Sequence, residues 1–330
     1  MSLEVLEPGL LTTVQDAGRP DWTHIGVPSG GACDRWSLSV ANLLAGSRPD
    51  AAALEMTLVG GTFRVLAPLR IGLAGADLGG HVRETGAPLG PGRSHLVAAG
   101  STIAFPGVPD AAAGARAYLA LAGGIDVPTV LDSRSTALAA AFGGLDGRAL
   151  RTGDIVGATT RPGASSPPSP PGAGLVWPDA DVDDPGRPIR VVAGPSNGTA
   201  DLVAVPWRVA SGSDRVGLRL DGPPISATPG PDLPSFGVVP GAIQVPAGGG
   251  PIALLVDAQT TGGYPVVAVT IAADMRLLAQ LRPGAEVRFV EVSIREATDA
   301  IRQQAADLER GAALLRESAA WDDAWQGAGG

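Results

Sequence analysis

The feature that most limits the fold of this chain is its turn rhythm. Glycine-rich breaks recur about every ten residues, with short apolar runs between them. That spacing suits many short strands in a barrel or sandwich better than long helices. The 47 Gly and 30 Pro of the 330 residues make close to a quarter of the chain turn-former, yet 45% is hydrophobic, enough for sizeable cores. With aromatics at only 4%, those cores must be built from Val, Leu, Ile and Ala.

The stretch Pro240–Pro265, PGAIQVPAGGGPIALLVDAQTTGGYP, concentrates the pattern. Ala242–Val245 and Ile252–Val256 are apolar runs separated by Gly248, Gly249 and Gly250, which predicts a β-hairpin. The second strand leads into Asp257, Gln259, Thr260, Thr261, Gly262, Gly263 and Tyr264. A carboxamide, two hydroxyls and a phenol suit a neutral amide or urea group better than a phosphate, and a Gly-Gly pair lets backbone approach a ligand closely. A polar turn closing a barrel reads equally well from the same residues.

Upstream, a loop carrying Gln15, Asp16, Arg19, Ser29, Gly30 and Gly31 feeds a helix that starts at Asp34 as N-cap and ends at Gly46, with Trp36, Val40, Leu43 and Leu44 on one face. Strands follow over AALEMTLV and TFRVL, then near Leu69–Ala74, His95–Ala98, Ser101–Phe105 and Ala115–Ala122; Glu55, between Leu54 and Met56, either points to solvent on an alternating strand or points into a site. Arg134, between Ser133 and Ser135, is placed either to bind a carboxylate or phosphate or to pin its own loop by bonding carbonyls. Arg215 pairs with Asp214 or reaches a ligand. The C-terminal helix from Ser293 carries an apolar face of Ile294, Ala297, Ile301, Ala305, Leu308, Ala312 and Leu315.

The expected architecture is mainly β: an N-terminal β-barrel domain over 1–160, a Pro/Ser/Gly-rich linker over 161–187, a second β-barrel domain over 188–292, and a helix and tail over 293–330, with a few short helices elsewhere. The net charge of −9, with no lysine and no basic run, argues against nucleic acid as a partner. One cysteine, Cys33, and three scattered histidines predict no metal site and no internal disulfide. No leader pattern opens the chain and no apolar run approaches about 18 residues, so a cytoplasmic protein without membrane contact is expected.

Seven motifs in order, TVQDAGR (13–19), GVPSGGACD (26–34), AGGIDVPTVLDSRST (122–136), FGGLDGRAL (142–150), SDRVGLRLDGP (213–223), VVPGAIQVP (238–246) and DAQTTGGYPVVA (257–268), make the chain resemble the biotin-dependent carboxyltransferase-like family. That family includes one of the subunits of bacterial 5-oxoprolinase, allophanate hydrolase subunit 2, the matching half of the urea carboxylase carboxyltransferase domain, and an antagonist of a sporulation-kinase inhibitor. The resemblance implies two cyclophilin-like barrels, a shorter homologous partner subunit and a larger third subunit. It implies a hydrolase subunit, inactive alone, in a complex that uses ATP to open 5-oxoproline to glutamate. Its alternatives are an allophanate- or urea-type enzyme subunit, with carboxybiotin as a possible visitor, or a regulatory antagonist without turnover. On the enzyme reading, Asp16, Asp257, Gln259 and Tyr264 are the candidate catalytic residues, with Asp16 or Asp257 as general base. Arg19, Ser29, Arg134, Arg215, Gln244, Thr260, Thr261, Gly262 and Gly263 are the candidate substrate-binding residues. No cofactor is expected on this chain alone: it lacks a P-loop and any Met-Lys biotinylation site, so ATP and biotin would reside on other chains. No Ser-His-Asp or Ser-Lys arrangement can be assembled.

Overall fold

The computed structural model describes residues 2–108, 110, 114–159, 186–227 and 234–327, those from 318 on as backbone only. All but the last two residues of the expected linker at 161–187 lie outside these. The chain divides into two compact units. Residues 2–18, 34–159 and 306–327 belong to the first, and 19–33 with 186–305 to the second. The early loop 19–33 is therefore built into the second unit, although the chain on either side of it belongs to the first. Among the described residues, no helix is long and apolar enough to cross a membrane.

The first unit holds two five-stranded antiparallel sheets. One runs in the order Ile155–Gly157, Ser2–Glu7, Thr62–Val65, Thr102–Ala104 and His81–Val82. The other runs Leu11–Gln15, Ala53–Thr57, Arg116–Leu121, Leu69–Gly75 and Arg93–Val97. Leu3, Val5, Phe63, Val65 and Ile103 of the first sheet and Leu54, Met56, Ile71, Leu73, Leu119 and Leu121 of the second fill one core. These core residues are every second one along their strands, the side chains that the pleat turns to one face.

A helix, Arg35–Ala45, covers the outer face of the second sheet. Asp34 caps it as expected: its Oδ1 accepts the Ser37 N–H at 2.9 Å, and Gly46 ends the helix at φ 79°. The buried face is Leu38, Val40, Ala41, Leu44 and Ala45, whereas Trp36 and Leu43 are only half-buried. The approach is close enough that a Cβ on Gly72 would collide with the Ala41 carbonyl.

The solvent-facing reading of Glu55 is overturned. Four successive residues of its strand, Ala53 to Met56, are buried, so both faces are covered and alternation does not turn the carboxylate to water. Glu55 is 1% exposed, and its Oε2 accepts the Tyr118 hydroxyl at 2.7 Å. The Arg116 Nε lies 3.9 Å from its Oε1.

The second unit is one eight-stranded sheet: Glu286–Val287, Trp207–Val209, Gly217–Asp221, Ile252–Leu254, Ala242–Gln244, Val266–Thr270, Ile189–Ala193 and Phe289–Glu291. Its first and last strands are separated in sequence by Arg288 alone. A sheet whose two edges are one residue apart must curl until they meet, which makes a nearly closed barrel. Inside lie Ile189, Val191, Trp207, Leu220, Ile243, Leu255, Val267 and Phe289. The predicted hairpin is present, with Ile243 opposite Ala253 and Gln244 opposite Ile252. A separate two-stranded ribbon pairs Phe236–Gly237 with Thr261–Gly262. Phe236 and Val238 pack with Ala242, Leu254, Ala258 and Val266.

The helix Ile294–Gly327 is divided between the units, 294–305 counting with the second and 306–327 with the first. Its expected apolar face is only partly used. Leu315 is buried, but Ile294 is 77% and Ile301 39% exposed.

Candidate functional site

In the second unit, three separated motifs converge on Arg215. Its guanidinium grips Asp257 at two points, Nε to Oδ2 at 2.8 Å and Nη2 to Oδ1 at 3.1 Å. Nη2 also donates to the Gly31 carbonyl at 2.8 Å, and Nη1 lies 3.4 Å from Cys33 Sγ. Arginine suits this position because its planar fork reaches a carboxylate and a carbonyl at once. The loop 19–33 is fastened again by the Gly30 N–H and the Ser29 hydroxyl, which both donate to the Val256 carbonyl, at 2.9 and 3.3 Å. The Arg19 N–H donates to the Ser29 carbonyl at 2.7 Å, and the Arg19 side chain is buried. Asp214 does not pair with Arg215; its Oδ1 accepts the N–H groups of Val216 and Gly217.

Past Asp257 the chain turns outward. Gln259, Thr261, Gly263 and Tyr264 are exposed, while Thr260 and Gly262 are half-buried. The Thr260 carbonyl accepts the Val238 N–H, which fastens this edge to the ribbon. Gln259 Nε2 donates to Gln244 Oε1 at 3.4 Å. Gln244 itself is buried on the hairpin. Gln259, Thr260, Thr261, Gly262, Gly263 and Tyr264 thus form one uncharged hydrogen-bonding edge next to the fastened pair Arg215–Asp257, joined to the buried Gln244 through Gln259.

Asp16 and Arg134 meet in the first unit, as loop architecture. Asp16 Oδ1 accepts the Gly18 N–H at 2.8 Å and the Ser133 hydroxyl at 2.6 Å, and its Oδ2 accepts the Arg134 N–H at 2.5 Å. The Arg134 guanidinium donates to the Val127 carbonyl at 2.8 Å and lies 3.6 Å from Asp126. These are loop-pinning contacts, made by a side chain that stays 38% exposed. The tip it holds is a two-residue turn with Leu131 at φ 52° and Asp132 at φ 60°, a conformation costly for leucine.

Sequence reasoning did not anticipate the Gly31 and Val256 carbonyls or Cys33 as partners of this site. A carbonyl carries no residue-type signal, and a lone cysteine reads as filler. Among the described residues, no group of three His, Cys, Asp or Glu side chains is arranged to hold a metal ion.

Comparison with known proteins identifies the fold and its lineage. The model of the carboxyltransferase domain, subdomains A and B, matches residues 25–291, and the chain belongs to that family. It is 38% identical to a 5-oxoprolinase subunit of Escherichia coli over 92% of this chain and 95% of that protein. It is 32% identical to the urea amidolyase of Lachancea kluyveri over 93% of this chain, which spans 18% of that longer protein. Among solved structures, the urea carboxylase of Kluyveromyces lactis superposes with a TM-score of 0.83 at 28% identity, over 94% of this chain and 29% of that one.

Proposed function

We propose that the chain is the corresponding subunit of a 5-oxoprolinase, a hydrolase complex that opens the lactam of 5-oxoproline to glutamate with ATP. The observation that carries this is the near end-to-end match to the Escherichia coli subunit, 95% of whose length is covered. The site chemistry supports it, because a lactam offers a carbonyl and an N–H, and the edge from Gln259 to Tyr264 offers uncharged donors and acceptors for both. A shorter homologous subunit and a larger third subunit are the proposed partners, with ATP handled elsewhere, since this chain has no P-loop.

Within that reading the roles divide by geometry. Gln259, Thr261 and Tyr264 face outward and orient the substrate amide. Both oxygens of Asp257 are held by Arg215 and both oxygens of Asp16 by loop donors, so neither is placed as a free proton acceptor. Asp257 and Arg215 position the loop and the edge, and the proton-moving group is assigned to a partner chain.

A urea-type reaction is the second reading, favoured by the match to the urea amidolyase. Carboxybiotin would then visit the site. The same edge fits its ureido ring, which also presents a carbonyl beside N–H, but biotin would arrive on another chain because this one has no lysine to carry it. Omitting one component at a time tests the assignment. Glutamate formation from 5-oxoproline and ATP should require this chain together with its two partners; turnover indifferent to its omission would remove the assignment.

A further inference from the structure

Gln244 is an anomaly in the second barrel. It lies mid-sheet, 1% exposed, between the apolar Ile243 and Val245. A carboxamide in such a place is normally bonded at both ends. Here Oε1 has only the long contact to Gln259, and Nε2, shielded from solvent, has no partner. The pairing register with Val266–Thr270 shifts between Ile243 and Gln244. A bulge of this kind re-aims a side chain and is found beside functional sites more often than elsewhere.

What Nε2 faces is backbone. A Cβ built on Gly262 would lie 2.5 Å from it. The ribbon strand Thr261–Gly262 therefore passes directly over the unpartnered amide, and a side chain at 262 would have to displace it.

We propose that Gln244 is the carbonyl-reading donor of the substrate subsite, and that the ribbon Phe236–Gly237/Thr261–Gly262 is its cover. When the ribbon lifts, Nε2 donates to the carbonyl oxygen of a lactam, amide or urea, and the exposed Gln259 at the rim contacts the same group. An uncharged donor on an apolar sheet suits a neutral carbonyl, not a carboxylate or phosphate. The choice among neutral carbonyl compounds rests on the function proposed above; the donor, its cover and the ligand class do not.

The test uses the reconstituted complex and two variants. Gln244→Met keeps the volume and removes the carboxamide. Because that group is half-satisfied, its loss should leave the melting temperature unchanged or raised, while kcat/KM for 5-oxoproline falls about 100-fold or more. Gly262→Ala pushes a methyl into the amide and should cause a comparable loss. Direct binding is read from the side-chain NH2 signals of glutamine-labelled wild-type protein, with Gln244 assigned by its disappearance in Gln244→Met. They should shift on addition of 5-oxoproline, or of urea if that is the substrate. Full turnover by both variants overturns the inference while leaving the assigned reaction intact. If the wild-type complex makes no glutamate, the assigned reaction fails, and the NH2 signals with urea and N-methylacetamide then decide the role of Gln244. Signals unmoved by every probe overturn it, and so does a Gln244→Met protein that loses stability in step with activity.

Discussion

Arg215 and Asp257 lie 42 positions apart in the chain and meet through two short contacts, and the same guanidinium reaches back to Gly31. A single side chain thereby fixes the loop 19–33 against the turn that starts the polar edge. The pair is almost wholly shielded, with side chains 5% and 15% exposed. In that setting, loss of one partner leaves the other charge stranded. Asp257→Ala should therefore cost about 3–5 kcal/mol of stability. Arg215→Met combined with Asp257→Ala should cost less than the sum of the single changes, and a double-mutant cycle in denaturant measures the difference. Additive losses would mean that the two groups act separately.

How much of this was legible in the sequence depends on which physical rule governed each residue. The strand rhythm, the hairpin across Gly248–Gly250 and the Asp34 cap follow from local rules, turn residues, periodicity and capping, and they appear where those rules put them. Glu55 did not follow, because strand alternation says nothing of what covers the far face, and both faces of Ala53–Thr57 are buried. Ile294 and Ile301 did not, because helical periodicity finds an apolar stripe without saying what covers it. At the candidate site, residue types marked the polar edge from Gln259 to Tyr264. The partners of Arg215 were invisible, because a backbone carbonyl and an aspartate 42 positions away leave no mark in local spacing.

Tyr118 is the hinge of a buried relay in the first unit. Its hydroxyl donates to Glu55 at 2.7 Å and accepts the Asp34 N–H at 2.8 Å, just ahead of the helix Arg35–Ala45. Tyr118→Phe removes one oxygen, and with it the donor to Glu55 Oε2 and the acceptor of the Asp34 N–H. The expected loss is about 1–3 kcal/mol, read as a lower denaturation midpoint with an unchanged slope.

Asp16 holds the strained turn at Leu131 and Asp132 through Ser133 and Arg134. Asp16→Ala deletes the acceptor of three donors and releases the tip. Stability should fall by about 2–4 kcal/mol, since a lost partner costs on the order of 1–3 for each of the part-buried Gly18 and Arg134 N–H groups, while the Ser133 hydroxyl keeps Ser135 at 2.7 Å. Limited proteolysis should show a new cleavage site within residues 130–136, while a cut elsewhere would place the weak point outside this loop.

Acid should loosen the first unit through Asp154. Hydrogen bonds from Arg148 (2.8 and 2.9 Å), helped by the Arg151 N–H and by the nearby positive charge, hold its carboxyl below the usual aspartate range despite partial burial. A folded-state value below the unfolded one means that the unfolded chain takes up the proton first. The stabilisation is then complete above the unfolded value of about 4 and is lost as pH falls through the lower folded value. Asp154→Asn should lower the melting temperature at pH 7. It should also narrow the gap to wild type steadily below pH 4, where the wild-type carboxyl becomes neutral as well. Melting curves from pH 7 to pH 2 decide this: a gap that stays constant throughout would show that the carboxylate charge is not what Arg148 is holding.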